Sequence, residues 1–211
     1  MSASANKLNR TEVMMRFLPR LTSTVSLMAL AVVATTTPAK ENTITAMTEE
    51  SRKVALQVSR DLRDQLLREM KLSGPLRSLL VCKYSCPEIL SSQSRRTGWK
   101  VAAVSLKPRN SALGMPDAWE QKVLLDLSKR AVNGEKADAL EFTEVVNEPQ
   151  GRYFRYARAM LVEPLCMPCH SARDKMKGSV KAQLAIDYPF DKAVDFSVGE
   201  VYGIASIKRS F

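Results

Sequence analysis

His170 is the only histidine in the chain, and it closes the run Cys166-Met167-Pro168-Cys169-His170. No other feature restricts the possible folds so much, because C-x-x-C-H is the spacing for covalent attachment of a c-type haem. Two thiols two residues apart can add across the two vinyl groups of one porphyrin edge. The histidine that follows then binds the iron from one side. With no second histidine in the chain, bis-histidine ligation is excluded and the sixth iron position has to be filled otherwise.

Other chemistries share part of this pattern. Cys166 and Cys169 also suit a disulfide, or half of a zinc site completed by Cys82 and Cys86. Paired zinc knuckles, however, show tighter and more regular spacing than Cys82-x-x-x-Cys86 with Cys166-x-x-Cys169. A c-type haem also requires export, so the N-terminus bears on the choice.

Residues 1–39 read as a secretory signal peptide. Arg16 and Arg20 make a positive n-region, Leu21 to Val33 an apolar h-region, and Thr37-Pro38-Ala39 a small-residue cleavage site before Lys40. The apolar run is short of the roughly 20 residues a transmembrane helix needs, and no other segment reads as a span. An uncleaved anchor is the competing reading. Residues 40–211 are expected to be one periplasmic domain with a single core. The full chain carries a net charge of +10. Its bases are spread and interleaved with acids, which points away from nucleic acid and toward haem propionates or an acidic redox partner.

The periodicity predicts a helix over 48–72, capped by Thr48, with Val54, Val58, Leu62, Leu66 and Met70 on one face. Ser73-Gly74-Pro75 breaks it, and a short helix from Leu76 to about Cys82 ends before Pro87. Thr97 to Leu106 reads as a strand, and Pro116 to about Val132 as a helix. Leu140–Val146, Tyr153–Val162, Val180–Tyr188 and Val201–Lys208 all read as strands. The order predicts an α+β domain with a five-stranded antiparallel sheet and flanking N-terminal helices.

Several of these residues together resemble a known family. They are Gly74-Pro75 leading into Val81-Cys82 and Pro87, and the Arg109-Asn110 loop before Pro116-Asp117-Ala118-Trp119-Glu120. Tyr153-Phe154-Arg155-Tyr156 before Pro164 and the C-x-x-C-H run, and Val198-Gly199-Glu200-Val201-Tyr202-Gly203, complete the set. The chain resembles single-haem c-type domains with a PAS-like fold, found in bacterial periplasmic proteins and in extracytoplasmic parts of sensor kinases and chemoreceptors. The loop after Asn110 departs from the family pattern, as do Ser171 in place of the usual glycine and Cys86 in place of a small residue. The resemblance implies that Cys82 faces the haem opposite His170 as the sixth ligand. Met70, Met115, Met160 and Met176 are rivals for that position, and a methionine would raise the reduction potential where a thiolate lowers it.

Cys82 and Cys86 are four apart, so on a helix they share a face and have the spacing for a disulfide that withdraws Cys82 from iron. Arg109, and secondarily Arg155, have the bidentate geometry for haem propionates. Trp119 and Tyr156 read as core. No acid–base dyad, nucleophilic triad or phosphate loop marks an enzyme. The expectation is one covalent haem c, held by Cys166 and Cys169 and ligated by His170 and Cys82. It would serve redox or gas sensing, or low-potential electron transfer, with a separate redox or signalling partner protein. A non-haem module held by zinc or disulfides at the four cysteines is the alternative.

Overall fold

The computed structural model describes residues 38–211, so all but the last two positions of the expected signal peptide lie outside the described residues. A kinked helix, α1 (Pro38–Leu80), passes through a π-helical turn at Val81–Ser85 into α2 (Cys86–Thr97). Then come β1 (Lys100–Val104), a short α3 (Ser111–Gly114) and α4 (Ala118–Val132). β2 (Glu141–Glu148) and β3 (Gly151–Leu161) form a hairpin. The short α5 (Met167–His170), α6 (Gly178–Asp187) and β4 (Val201–Ser210) complete the fold. The strands make one antiparallel sheet in the order β1-β4-β3-β2.

The α+β class and the N-terminal helices agree with the sequence reading, but the sheet has four strands, not five. The expected strand at Val180–Tyr188 is mostly helix α6. Its buried residues Val180, Leu184 and Tyr188 recur every four positions and pack with Leu79 and Met176. That helical period outweighs the β-branched and aromatic content of the segment. Helix α1 also starts well before Thr48, whose hydroxyl donates to the Ile44 carbonyl at 2.9 Å inside the helix.

The expected break at Gly74 is a kink. Its backbone (φ 73°, ψ −177°) lies in a region open essentially only to glycine, and the helix resumes after it. Nor does the helix end before Pro87. The Cys86 N–H reaches back five residues to the Val81 carbonyl, and Pro87 sits in the first turn of α2, where a missing N–H is tolerated.

Both faces of the sheet are covered. On one, Met47, Ala55 and Val58 of α1 pack on Val101, Phe154, Tyr156, Met160, Ala205 and Ile207. On the other, Val123, Leu124 and Leu127 of α4 pack on Val104, Ala157 and Ile204. The central strands β3 and β4 are therefore buried on successive residues rather than alternate ones. Tyr156 is fully buried, as expected, while Trp119 is partly buried beneath the Arg155 guanidinium at 4.3 Å. Glu120 completes a capping box with Asp117 and accepts a 2.7 Å hydrogen bond from Ser206, tying α4 to β4. Glu141 on β2 takes hydrogen bonds from Arg52 of α1 and Tyr156 of β3, which clamps the helix to the sheet.

A Cβ on Gly203 of β4 would lie 2.7 Å from the Val104 carbonyl oxygen of β1, so the two backbones would have to part. Gly203→Ala should cost about 1–3 kcal/mol in urea unfolding. The Arg52 hydrogen bond, opposed by burial and helped by Tyr156, holds Glu141 below its ordinary value of 4.5. A lowered carboxylate pKa means that the unfolded chain binds more protons. The stabilisation is therefore complete above pH 4.5 and is lost as pH falls through the folded value. Glu141→Gln should lower the urea midpoint at pH 7, and its gap to wild type should close in acid.

Candidate functional site

After β3 the chain turns through Pro164–Cys166 into α5, and this helical run puts Cys166, Cys169 and His170 on one side, at offsets of three and four. All three line a cavity of about 620 Å³. Helix α1, the π turn and the start of α2 also line it, through Leu62, Leu66, Met70, Cys82 and Cys86. The apolar face read over 54–70 therefore has two jobs: Val54 and Val58 pack on the sheet, while Leu62 also joins Leu66 and Met70 in walling the cavity.

The His170 Nδ1 lies 3.0 Å from the Ala193 carbonyl oxygen. A carbonyl only accepts, so Nδ1 carries the proton and the Nε2 lone pair is left free. Burial, with help from the Arg109 charge and against the Ala193 hydrogen bond, pushes its pKa down to about 3. The imidazole is therefore neutral, as a metal ligand has to be. Phe196 and Tyr202 pack beside the ring, with centroids 6.1 and 6.3 Å away.

All four cysteines are free thiols. Burial pushes Cys166 up, and Cys169 to about 11, the reverse of the lowered pKa that marks a thiol-exchange C-x-x-C. The Cys82 thiol moves the other way, to about 7. A hydrogen bond from Cys86 drives the shift, burial opposes it and the Arg109 charge assists. Cys86 is correspondingly pushed up by its neighbour and by burial. Among the described residues no three His, Cys, Asp or Glu side chains gather where they could hold a metal ion. Of the rival methionines, Met70 and Met160 line the cavity. Met115 is exposed, and Met176 is packed with Leu79, Val180, Leu184 and Tyr188.

Arg109 lines the cavity, but most of its guanidinium is engaged by the protein. Nε pairs with Asp191 at 3.3 Å, and Nη2 donates to the Ala193 carbonyl at 3.1 Å and to the Cys169 carbonyl. Nη1 is buried without a partner. Arg155 is not part of the site. It is 3 % exposed and pairs with Asp117 at 2.7 Å, Glu120 at 3.4 Å and Glu148 at 3.5 Å beside α4. Asn110 caps α3 through a bond from the Ala112 N–H at 3.1 Å.

Sequence reasoning missed Asp191 and Ala193. Asp191 Oδ1 accepts the Ala193 N–H at 2.8 Å as well as Arg109 Nε, and so fixes the carbonyl that orients His170. The one local signal is an aspartate two residues before the N–H it accepts, the pattern of an Asx turn. Asp191→Ala would leave the Arg109 guanidinium buried without its carboxylate, a loss of about 3–5 kcal/mol in urea unfolding. Asp191→Asn, which keeps Oδ1, should cost less.

Comparison with known proteins agrees with this architecture. The sequence matches the family described as Tll0287-like (Tll0287) over residues 35–210. Among solved structures, the cyanobacterial heme-protein Tll0287 matches with a TM-score of 0.51 at 20% identity. The match covers 82% of this chain and 96% of that one, and at this identity it speaks for the fold. No curated protein matches. The family resemblance read from the sequence is thus borne out: the chain belongs to the Tll0287-like family.

Proposed function

We propose that this protein is a mono-haem c-type cytochrome with a PAS-like domain, exported to the periplasm, and working in redox or small-ligand sensing or in low-potential electron transfer. The observation that carries the reading is the convergence of Cys166, Cys169, His170, Cys82 and Arg109 on one cavity of about 620 Å³. That volume falls within the roughly 300–1,000 Å³ of cofactor pockets. The fit extends to chemistry: two thiols at the required spacing, a neutral imidazole with Nε2 free, and an orphaned guanidinium nitrogen on Arg109. The heme-protein named among the matches gives the reading further support.

When bound, a haem iron supplies one-electron chemistry and an axial position for a diatomic gas such as nitric oxide or carbon monoxide. The chain's own residues hold and tune it. Cys166 and Cys169 would hold one porphyrin edge through thioether bonds. His170, oriented through Ala193, would ligate the iron, and Cys82 would be its other protein ligand. Arg109 Nη1 would take a propionate, while its other nitrogens hold the motif helix at Cys169 and the loop after α6 at Asp191 and Ala193. The role we read is that of a carrier or sensor working with a separate redox or signalling partner. No described helix is long and apolar enough to cross a membrane.

The test is spectroscopy of protein produced with an active haem-maturation system. Wild type should show a Soret band that survives denaturation and acid extraction, and Cys166→Ala with Cys169→Ala should lose it. Cys82→Ala should lose a low-spin thiolate spectrum and raise the reduction potential. Absence of haem in wild type defeats the whole reading, and an unchanged Cys82→Ala spectrum moves the ligand to Met70 or Met160.

A further inference from the structure

Cys86 holds no part of the haem in the site just proposed, yet it lines the same cavity four residues from Cys82. We propose that Cys82 and Cys86 form a redox-active dithiol, which a disulfide-bearing partner converts to an intramolecular disulfide, taking Cys82 away from the haem. The coupling to haem rests on the ligand role proposed for Cys82; the dithiol itself does not.

Two independent features carry it. The first is proximity: the two thiols are free, both line one cavity, and they lie on one continuous helical segment at a spacing of four. The second is the backbone between them. In a regular α-helix the Cys86 N–H would bond to the Cys82 carbonyl, and residue 87 would bond to Lys83. Here the Cys86 N–H bonds to the Val81 carbonyl instead, and residue 87 is proline and brings no N–H. The turn that has to tighten is therefore not braced by the α-helical bond between its own ends. On a helix, Cβ atoms four apart lie roughly 5–6 Å from each other, whereas a disulfide wants about 3.5–4.5 Å. A π turn free of those bonds can close that gap, and such turns are frequent at functional sites.

The step balances without a further reagent. One thiolate of the pair attacks a sulfur of the partner's disulfide and expels one partner thiol, giving a mixed disulfide. The second thiol of the pair then attacks that bond. The Cys82–Cys86 bond forms, the partner's S–S bond breaks, and both protons and both electrons leave on the two partner thiols. The products are one oxidised pair here and two reduced thiols there.

The test uses holoprotein equilibrated over a range of mixtures of oxidised and reduced glutathione, then alkylated and analysed by peptide mass, with absorption spectra recorded in parallel. Wild type should lose both alkylatable thiols together, with a peptide mass lower by two hydrogens. The thiolate spectrum should disappear over the same range and return on reduction. Cys86→Ser should form no intramolecular disulfide and show no reversible spectral step. Thiols that stay alkylatable at every ratio, or that yield only mixed disulfides with glutathione, overturn the dithiol. A disulfide that leaves the spectrum unaltered overturns its coupling to haem. Cys82→Ser, recorded alongside, separates the two readings: if its reduced-state spectrum equals that of wild type, the ligand assignment has failed, whereas the peptide mass still decides the dithiol.

Discussion

One guanidinium group joins three of the segments around the cavity. Arg109, in the loop after β1, reaches the Asp191 carboxylate, the Ala193 carbonyl and the Cys169 carbonyl. A buried charge is tolerated only when it is paired and hydrogen-bonded, so each of these contacts is enforced by the cost of losing it. The loop after α6 and the motif helix α5 are thereby fixed with respect to β1. His170 inherits its orientation from this arrangement through the Ala193 carbonyl, which it shares with Arg109.

The sheet supplies the rigid reference for this loop assembly. Its two central strands are buried on both faces, and polar ties at Glu120–Ser206 and Arg52–Glu141 fix the covering helices at definite positions. Helix α1 spans from that sheet to the cavity and uses one apolar stripe for both. Core packing and cavity shape therefore share a single element, and a change in the tilt of α1 on Phe154 and Tyr156 would move Leu66 and Met70 as well.

The parts of the site legible in the sequence are those encoded by local spacing. Cys166, Cys169 and His170 converge because offsets of three and four share a helical face, and Cys82 and Cys86 stay together for the same reason. Arg109 was recognisable as a polar contact but not as a clamp, because its partners lie 60 to 84 positions away. Asp191 was not legible for that reason too. In the fold, the β-branched and aromatic content of Val180–Tyr188 reads as a fifth strand, and its four-residue helical period shows only in the packing on Leu79. Arg155 is buried against Asp117, Glu120 and Glu148, of which only Glu120 is itself buried, and no local pattern announces that pairing.

The kink at Gly74 has a thermodynamic consequence. Before it, α1 is bound to the sheet through Met47, Ala55 and Val58. After it, from Pro75 to Thr97, the fully buried side chains are few: Ser78, Leu79, Val81 and Gln93. Segments with so little buried apolar area open at a lower free energy than the domain as a whole. The segment that carries Cys82 and Cys86 is thus held less firmly than the sheet, and its local opening would expose this part of the cavity while the sheet stays folded.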